Sequence, residues 1–324
     1  MEPLADIASS LGPDGLSATA ALRLGELAPE EIFGLFGLTA RLRRERSGAT
    51  VHLCAIVNAK SGRCSEDCRF CAQSAHWRTD APVHPLLPAA GIAAAAARAK
   101  SLGAREFGIV TAGKGIEAEE EIAEMEAAIR AVAGRGIHPC VSPGIVADAT
   151  LERWRAAGLT RYHHNLETAR SFFGAVCTTH DYEEDVAAIK RARAAGLPVC
   201  SGGLFGLGES FAQRVELGLT LRELGVDSTP LNVFIPVPGT PLAATAPGIP
   251  PLECLRVVVL FRLLLPRARV IVCGGREHNL RSLQPLIFAA GADGMMIGDL
   301  LTTAGRPPED DLRMLADLGL EPAP

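Results

Sequence analysis

Cys64, Cys68 and Cys71 form a C-x3-C-x2-C array, with Phe70 immediately before the third cysteine. Three thiolates this close together on one loop can grip one face of an iron–sulfur cluster. A four-iron cluster held by three ligands leaves one iron open to a small molecule, as catalytic zinc keeps a position that structural zinc closes. The rival chemistry is a closed zinc site with His76 as fourth ligand. Nine cysteines in 324 residues cannot all pair with one another, because the count is odd.

The elements that must position this loop follow from hydrophobic period. Short apolar runs bounded by Gly, Pro or polar residues predict strands over 51–57, 107–111, 137–142, 161–166, 197–201, 231–235, 270–273 and 294–297. Helical stretches alternate with them, including 119–133, 182–195 and 211–224, and the last two stop at Gly196 and Gly225. Eight strand–helix alternations predict parallel strands with crossover helices, and eight is the count that closes a (β/α)8 TIM-type barrel. An open doubly wound sheet is the alternative. Residues 1–48 read as an N-terminal helical extension, whose basic run 41–46 suits a solvated helix C-terminus. Residues 49–324 hold the barrel and a short C-terminal segment. The cysteine loop follows the first strand, at the barrel face where such folds do their chemistry.

Composition bounds the reading. At 48% hydrophobic and 21% charged, the chain is not disordered, and its length excludes a small disulfide scaffold. A net charge of −5 without a basic tract argues against nucleic acid. No basic-then-apolar leader and no bilayer-length apolar run are seen, so the expectation is a cytoplasmic protein with no membrane partner.

The stretch from Asn58 to Ser74, NAKSGRCSEDCRFCAQS, resembles the radical S-adenosylmethionine (SAM) superfamily and, within it, the biotin synthase family. Further matches follow in order: YHHNLET from Tyr162, CTTHDY from Cys177, VCSGGLFGLGES from Val199, PGTPL from Pro238, CGGRE from Cys273 and LLTT from Leu300. The resemblance implies a SAM-cleaving barrel that inserts sulfur into dethiobiotin, usually as a homodimer, with a reducing flavodoxin or ferredoxin-type electron donor. It implies a 4Fe–4S cluster on Cys64, Cys68 and Cys71 and an auxiliary Fe–S cluster deeper in the barrel. By resemblance Asn165, Glu167 and Phe70 contact SAM, and the Gly202–Gly203 pair either permits close backbone approach to the ligand or forms a tight turn. Asn232 meets the ureido ring of dethiobiotin, Thr302 and Thr303 its carboxylate tail, and His163 touches the substrate. Related barrels of hydrogenase-maturation or methylornithine synthase type, and a non-catalytic iron–sulfur or zinc protein, are the competing readings.

Two departures from the family stand out. Of the familiar auxiliary ligands, three cysteines and an arginine, only Cys140 and Cys200 remain, with Gly108 and Ile271 at the other positions. Cys54, Cys140, Cys200 and Cys273, however, lie on the first, third, fifth and seventh predicted strands. Barrel interiors are filled in layers of four side chains from alternate strands, so these four thiols are expected to converge as an all-cysteine ligand set. Ordinary burial is the competing account. Cys177, in the loop after the fourth strand, is the rival ligand, and Cys254 reads as a core filler. The second departure is Asp185, where the family commonly has an arginine; it reads as an ordinary charge on the first turn of a helix, and Arg191 or Arg193 is a candidate substitute.

Overall fold

The computed structural model describes residues 2–324. Strands β1 (Thr50–Lys60), β2 (Glu106–Thr111), β3 (His138–Ser142), β4 (Arg161–His163), β5 (Val199–Cys200), β6 (Gly203–Phe205), β7 (Ser228–Val233), β8 (Arg269–Val272) and β9 (Gly294–Met296) lie parallel around the ring in chain order, with β5 and β6 end to end against β7. The ring closes because β1 also pairs with β9, His52 opposite Gly294 and Cys54 opposite Met296. The two-residue β10 (Glu321–Pro322) adds to β1 at Thr50 and Val51, at the end away from the cysteine loop. The barrel is therefore closed, as the eight alternations predict.

Two strands differ from expectation. The fifth is split into β5 and β6, both of which pair with β7. At the break, a side chain on Gly202 would put its Cβ 2.0 Å from the Pro230 carbonyl oxygen, so the backbones approach more closely than any other residue permits. The fourth ends at His163 rather than Leu166. Beyond it the chain stays joined to its neighbour by single bonds, Leu166 N–H to the Gly202 carbonyl (3.1 Å) and Leu204 N–H to the Glu167 carbonyl (2.7 Å). Glu167 itself has φ 60°, a left-handed conformation that ends the ladder.

The N-terminal helices share the barrel's core. Ile7, Leu16, Leu24, Ile32 and Leu35 belong to the same buried cluster as the barrel strands. They cover the helix Pro251–Leu264, in which every residue from Cys254 to Leu264 is buried. Backbone and side chain stitch the seam: Leu16 N–H donates to the Leu263 carbonyl (2.9 Å), Arg256 to that of Leu24 (2.9 Å) and Thr39 to that of Ala289 (2.7 Å). The basic run is not wholly solvated. Arg43 is buried over the Phe288 ring and donates to the Thr50 carbonyl (2.7 Å).

Beneath this seam Asp293 accepts from Arg262 Nη1 (2.7 Å), Val270 N–H (2.9 Å) and Ser47 Oγ (3.0 Å), with Arg262 and Asp293 both out of solvent. Removing one member leaves the other as an uncompensated buried charge. Asp293→Ala should therefore cost about 3–5 kcal/mol of unfolding free energy, read by urea titration. A loss under about 1 kcal/mol, the range of a surface pair, would refute that account.

Candidate functional site

The cysteine loop leaves β1 and is folded by its own backbone. Cys64 N–H donates to the Gln73 carbonyl (3.0 Å), Ala75 N–H to that of Cys64 (2.8 Å) and Cys71 N–H to that of Cys68 (2.9 Å). The Trp77 indole N–H donates to the Cys68 carbonyl (3.1 Å), and the Gln73 side chain accepts from Ser61 Oγ (3.0 Å). All three thiols line one cavity of about 470 Å³ at the C-terminal ends of the strands. His76 is exposed, turns its Nε2 to the Ser65 carbonyl (2.9 Å) and does not line that cavity, so the closed zinc site is not assembled. Burial pushes the Cys71 thiol up to about 11. The facing Cys177 thiol, with burial, raises Cys68 further. Cys68 and Cys71, held neutral beside one another, fit a metal cluster that supplies the positive charge.

Cys54, Cys140, Cys200 and Cys273 line the floor of the same cavity. The Cys54 thiol faces that of Cys273, which with burial raises it well above the ordinary thiol range. Burial raises Cys140, with Cys200 and Cys54 near enough to add to it, and pushes Cys200 up to about 12. The four sulfurs thus face one another across the barrel, as alternate-strand layering predicts. Cys177 is not among them. It lies at the mouth beside Cys68, with Sγ 3.3 Å from both Asp67 Oδ1 and His180 Nδ1. Cys254 is buried outside the cavity, under the N-terminal helices.

Asn165 and Glu167 stand on the cavity wall after β4. Asn165 Oδ1 accepts from Gly202 N–H (3.2 Å), and burial pushes the Glu167 carboxyl up to about 7 against an opposing hydrogen bond from Asn165. Gly202 and Gly203 serve this packing: a Cβ on Gly203 would lie 2.6 Å from the Glu167 carbonyl oxygen. Phe70 lines the cavity and packs on the apolar group Val176, Leu207, Phe234 and Leu242. Asn232 is fixed by its own amide, with Oδ1 accepting from Gly274 N–H (2.9 Å) and Nδ2 donating to the Gly203 carbonyl (3.4 Å). His163 is held neutral, burial lowering it to about 4. Thr302 and Thr303 lie on the rim.

Two groups escaped the sequence reading. Glu106 and Arg161 form a buried pair at the floor, Nε to Oε2 2.7 Å, with the guanidinium close to Cys140 and Cys200. Their signal was the period of two: Glu106 precedes Gly108, and Arg161 precedes His163, by two residues on inward-facing strands. At the mouth, Asp185 is buried, correcting its reading as a surface charge. It accepts from His164 Nε2 (2.8 Å) and faces His180 Nε2 (3.3 Å), while His180 Nδ1 meets Glu66 Oε2 (2.6 Å). Hydrogen bonds to Asp185 and Cys177 push His180 up to about 11. Arg191 and Arg193 pair outward with Asp148 and Asp227, so neither substitutes for the missing arginine.

A closed parallel barrel with three loop cysteines at its open mouth defines a radical SAM protein, and residues 59–221 match the Radical SAM superfamily. Residues 230–321 match the Biotin and Thiamin Synthesis associated domain. A biotin synthase of Geobacter sulfurreducens is 55% identical over 287 residues, covering 88% of this chain and 87% of the relative. One of Geotalea uraniireducens is 50% identical over 311 residues, covering 96% and 94%. The chain belongs to the biotin synthase family. Among solved structures it is similar to a methylornithine synthase (TM-score 0.84, 18% identity, 99% of this chain and 97% of that one). It is also similar to a maturase of the [FeFe]-hydrogenase (TM-score 0.83, 16% identity, 98% and 75%), and at these identities the likeness shows the fold alone.

If the four floor cysteines share one cluster, Cys54→Ser and Cys273→Ser should each lower iron and sulfide per chain after anaerobic reconstitution and change the auxiliary Mössbauer signal. The Cys64/Cys68/Cys71 signal should persist. Unchanged auxiliary spectra in both variants would remove these residues from the ligand set.

Proposed function

We propose that this chain converts dethiobiotin to biotin, and that its seven clustered cysteines divide into a SAM-binding set and a sulfur-donating set. The observation that carries this reading is a single cavity with Cys64, Cys68 and Cys71 at its mouth and Cys54, Cys140, Cys200 and Cys273 at its floor. When bound, the clusters and SAM supply the chemistry: reductive cleavage of SAM to methionine and 5′-deoxyadenosine, hydrogen removal from unactivated carbons of dethiobiotin, and donation of sulfur by the auxiliary cluster.

The protein's own part is to bind and orient. Asn165 and Glu167, the latter as carboxylate, accept from the SAM ribose hydroxyls, and Phe70 walls the adenine. Gly202 and Gly203 hold Asn165 and Glu167 in place through the contacts described above. Asn232 suits a ureido group, because an amide can both donate and accept. Neutral His163 adds a polar contact without a charge, and Thr302 and Thr303 take the carboxylate tail at the rim. The burial of the cavity floor keeps water from reactive species. The same reading makes the protein a cytoplasmic homodimer reduced by a flavodoxin or ferredoxin-type donor, with residues 1–48 as an extension on a barrel of residues 49–324. Among the described residues, no helix is long and apolar enough to cross a membrane.

Reconstituted protein incubated anaerobically with dethiobiotin, SAM and a one-electron reductant should yield biotin by mass spectrometry. Formation of 5′-deoxyadenosine without biotin would reject the substrate and keep the superfamily chemistry. Asn232→Ala should raise KM for dethiobiotin by about 5- to 100-fold, the loss of one or two buried hydrogen bonds. An unchanged KM would remove Asn232 from the substrate site.

A further inference from the structure

We propose that Glu66, Cys177 and His180 form a separate mononuclear site for a divalent ion of zinc type, at the seam between the cysteine loop and the segment entering helix Tyr182–Ala194. One carboxylate oxygen, one thiol sulfur and one imidazole nitrogen lie within 4.8 Å of one another. That donor set is typical of zinc, with bond lengths of about 2.0–2.3 Å. Tetrahedral angles at those lengths call for a sulfur–nitrogen separation of about 3.6 Å and a nitrogen–oxygen separation of about 3.3 Å. The structure has 3.3 Å from Cys177 Sγ to His180 Nδ1 and 2.6 Å from Nδ1 to Glu66 Oε2. The first already fits, and the second needs side-chain opening of about 0.7 Å to admit an ion.

The surroundings favour a ligand role. His180 presents its other nitrogen, Nε2, to Asp185 (3.3 Å), which is itself anchored by His164 (2.8 Å). A carboxylate behind an imidazole fixes its tautomer and ring plane, the usual support of a metal-bound histidine. It leaves Nδ1 directed at Cys177 and Glu66. Thr179 Oγ1 donates to Glu66 Oε2 (2.7 Å), and Asp67 Oδ1 lies 3.3 Å from the Cys177 sulfur, the nearest candidate for a fourth ligand. Glu66 and Cys177 are both buried. One thiolate and the Glu66 carboxylate together balance the charge of a dication. Cys68 also faces Cys177, but it is assigned to the cluster, so the two sites share a border and no ligand. The ion would fasten Glu66, two residues before Cys68, to the 177–180 segment.

The test uses cluster-loaded protein exposed anaerobically to Zn²⁺, desalted, and assayed for zinc, iron and sulfide. Wild type should retain one zinc per chain, with one sulfur near 2.3 Å and nitrogen or oxygen near 2.0–2.1 Å by zinc X-ray absorption. Cys177→Ser and His180→Gln should each abolish retention with iron content unchanged, and Asp185→Asn should weaken zinc binding by about 10- to 100-fold. No zinc in wild type would overturn the proposal and leave Glu66–His180–Asp185 as a hydrogen-bonded network. Equal zinc in the variants, or a shell of three or four sulfurs, would overturn it as well. Should Cys177→Ser lose iron, His180→Gln and Glu66→Gln, which spare every thiol, decide the question.

Discussion

The register that closes the barrel is the constraint on which the site depends. β1 meets β9 with His52 opposite Gly294, and a Cβ at residue 294 would lie 2.2 Å from the His52 carbonyl oxygen. Only glycine permits that approach. The closure sets Cys54 level with Met296, which brings its thiol against that of Cys273, just past the end of β8 two strands round. A shift of one residue would turn Cys54 out of the barrel, because side chains alternate across a strand. The same strand then runs on to Lys60 and delivers Ser61 and the cysteine loop to the mouth. One long strand therefore carries a floor thiol and launches the mouth thiols, fixing the depth between them.

Eight thiols around one cavity raise an electrostatic question that the two ends answer differently. At the floor the one cation beside the sulfurs is Arg161, and Glu106 already occupies it at 2.7 Å. A buried charge without a partner costs several kcal/mol, so Glu106 and Arg161 stabilise each other more than either stabilises a thiolate. Burial and their neighbours hold Cys54, Cys140 and Cys200 neutral until a metal brings charge of its own. Ile271 lines the same cavity and adds no cation there. At the mouth the balance is carboxylates against His180, and the thiols again lack a dedicated arginine or lysine.

The barrel, its strand order and the cysteine loop were legible because each rests on local pattern: period, punctuation and spacing. The four-cysteine floor was legible because alternate-strand layering converts strand number into position. What escaped were charged residues facing inward. Asp185 looks like any acid at a helix start, and only the fold shows His164, twenty-one residues away, beneath it. Glu106 and Arg161 come from strands two apart in the ring, and neither declares its partner in sequence. The split of the fifth strand was hidden for a related reason, since Gly202 reads as a turn until Pro230 is seen to touch it. The rival zinc ligand His76 failed for the reverse reason: spacing allowed it, but the loop's backbone bonds turn it outward.

Two histidines show how the cavity separates its chemistry. His163 is enclosed without a carboxylate in hydrogen-bonding reach, and burial lowers it to about 4, so it is neutral at pH 7. His180 is wedged between Asp185 and Glu66 and is raised to about 11, so it carries a proton unless a metal displaces it. Charge is thus gathered at the rim and in the Glu106–Arg161 pair under the floor. The wall between carries Ile56, Val110, Pro230, Ile271 and Met296 with neutral His163 and Asn232. Such a wall suits a substrate whose reacting atoms are carbons with no acidic hydrogen. A general base there would have no proton to take. The side chains between the two cysteine sets are accordingly those that pack and orient, with proton transfer left out of the protein's task.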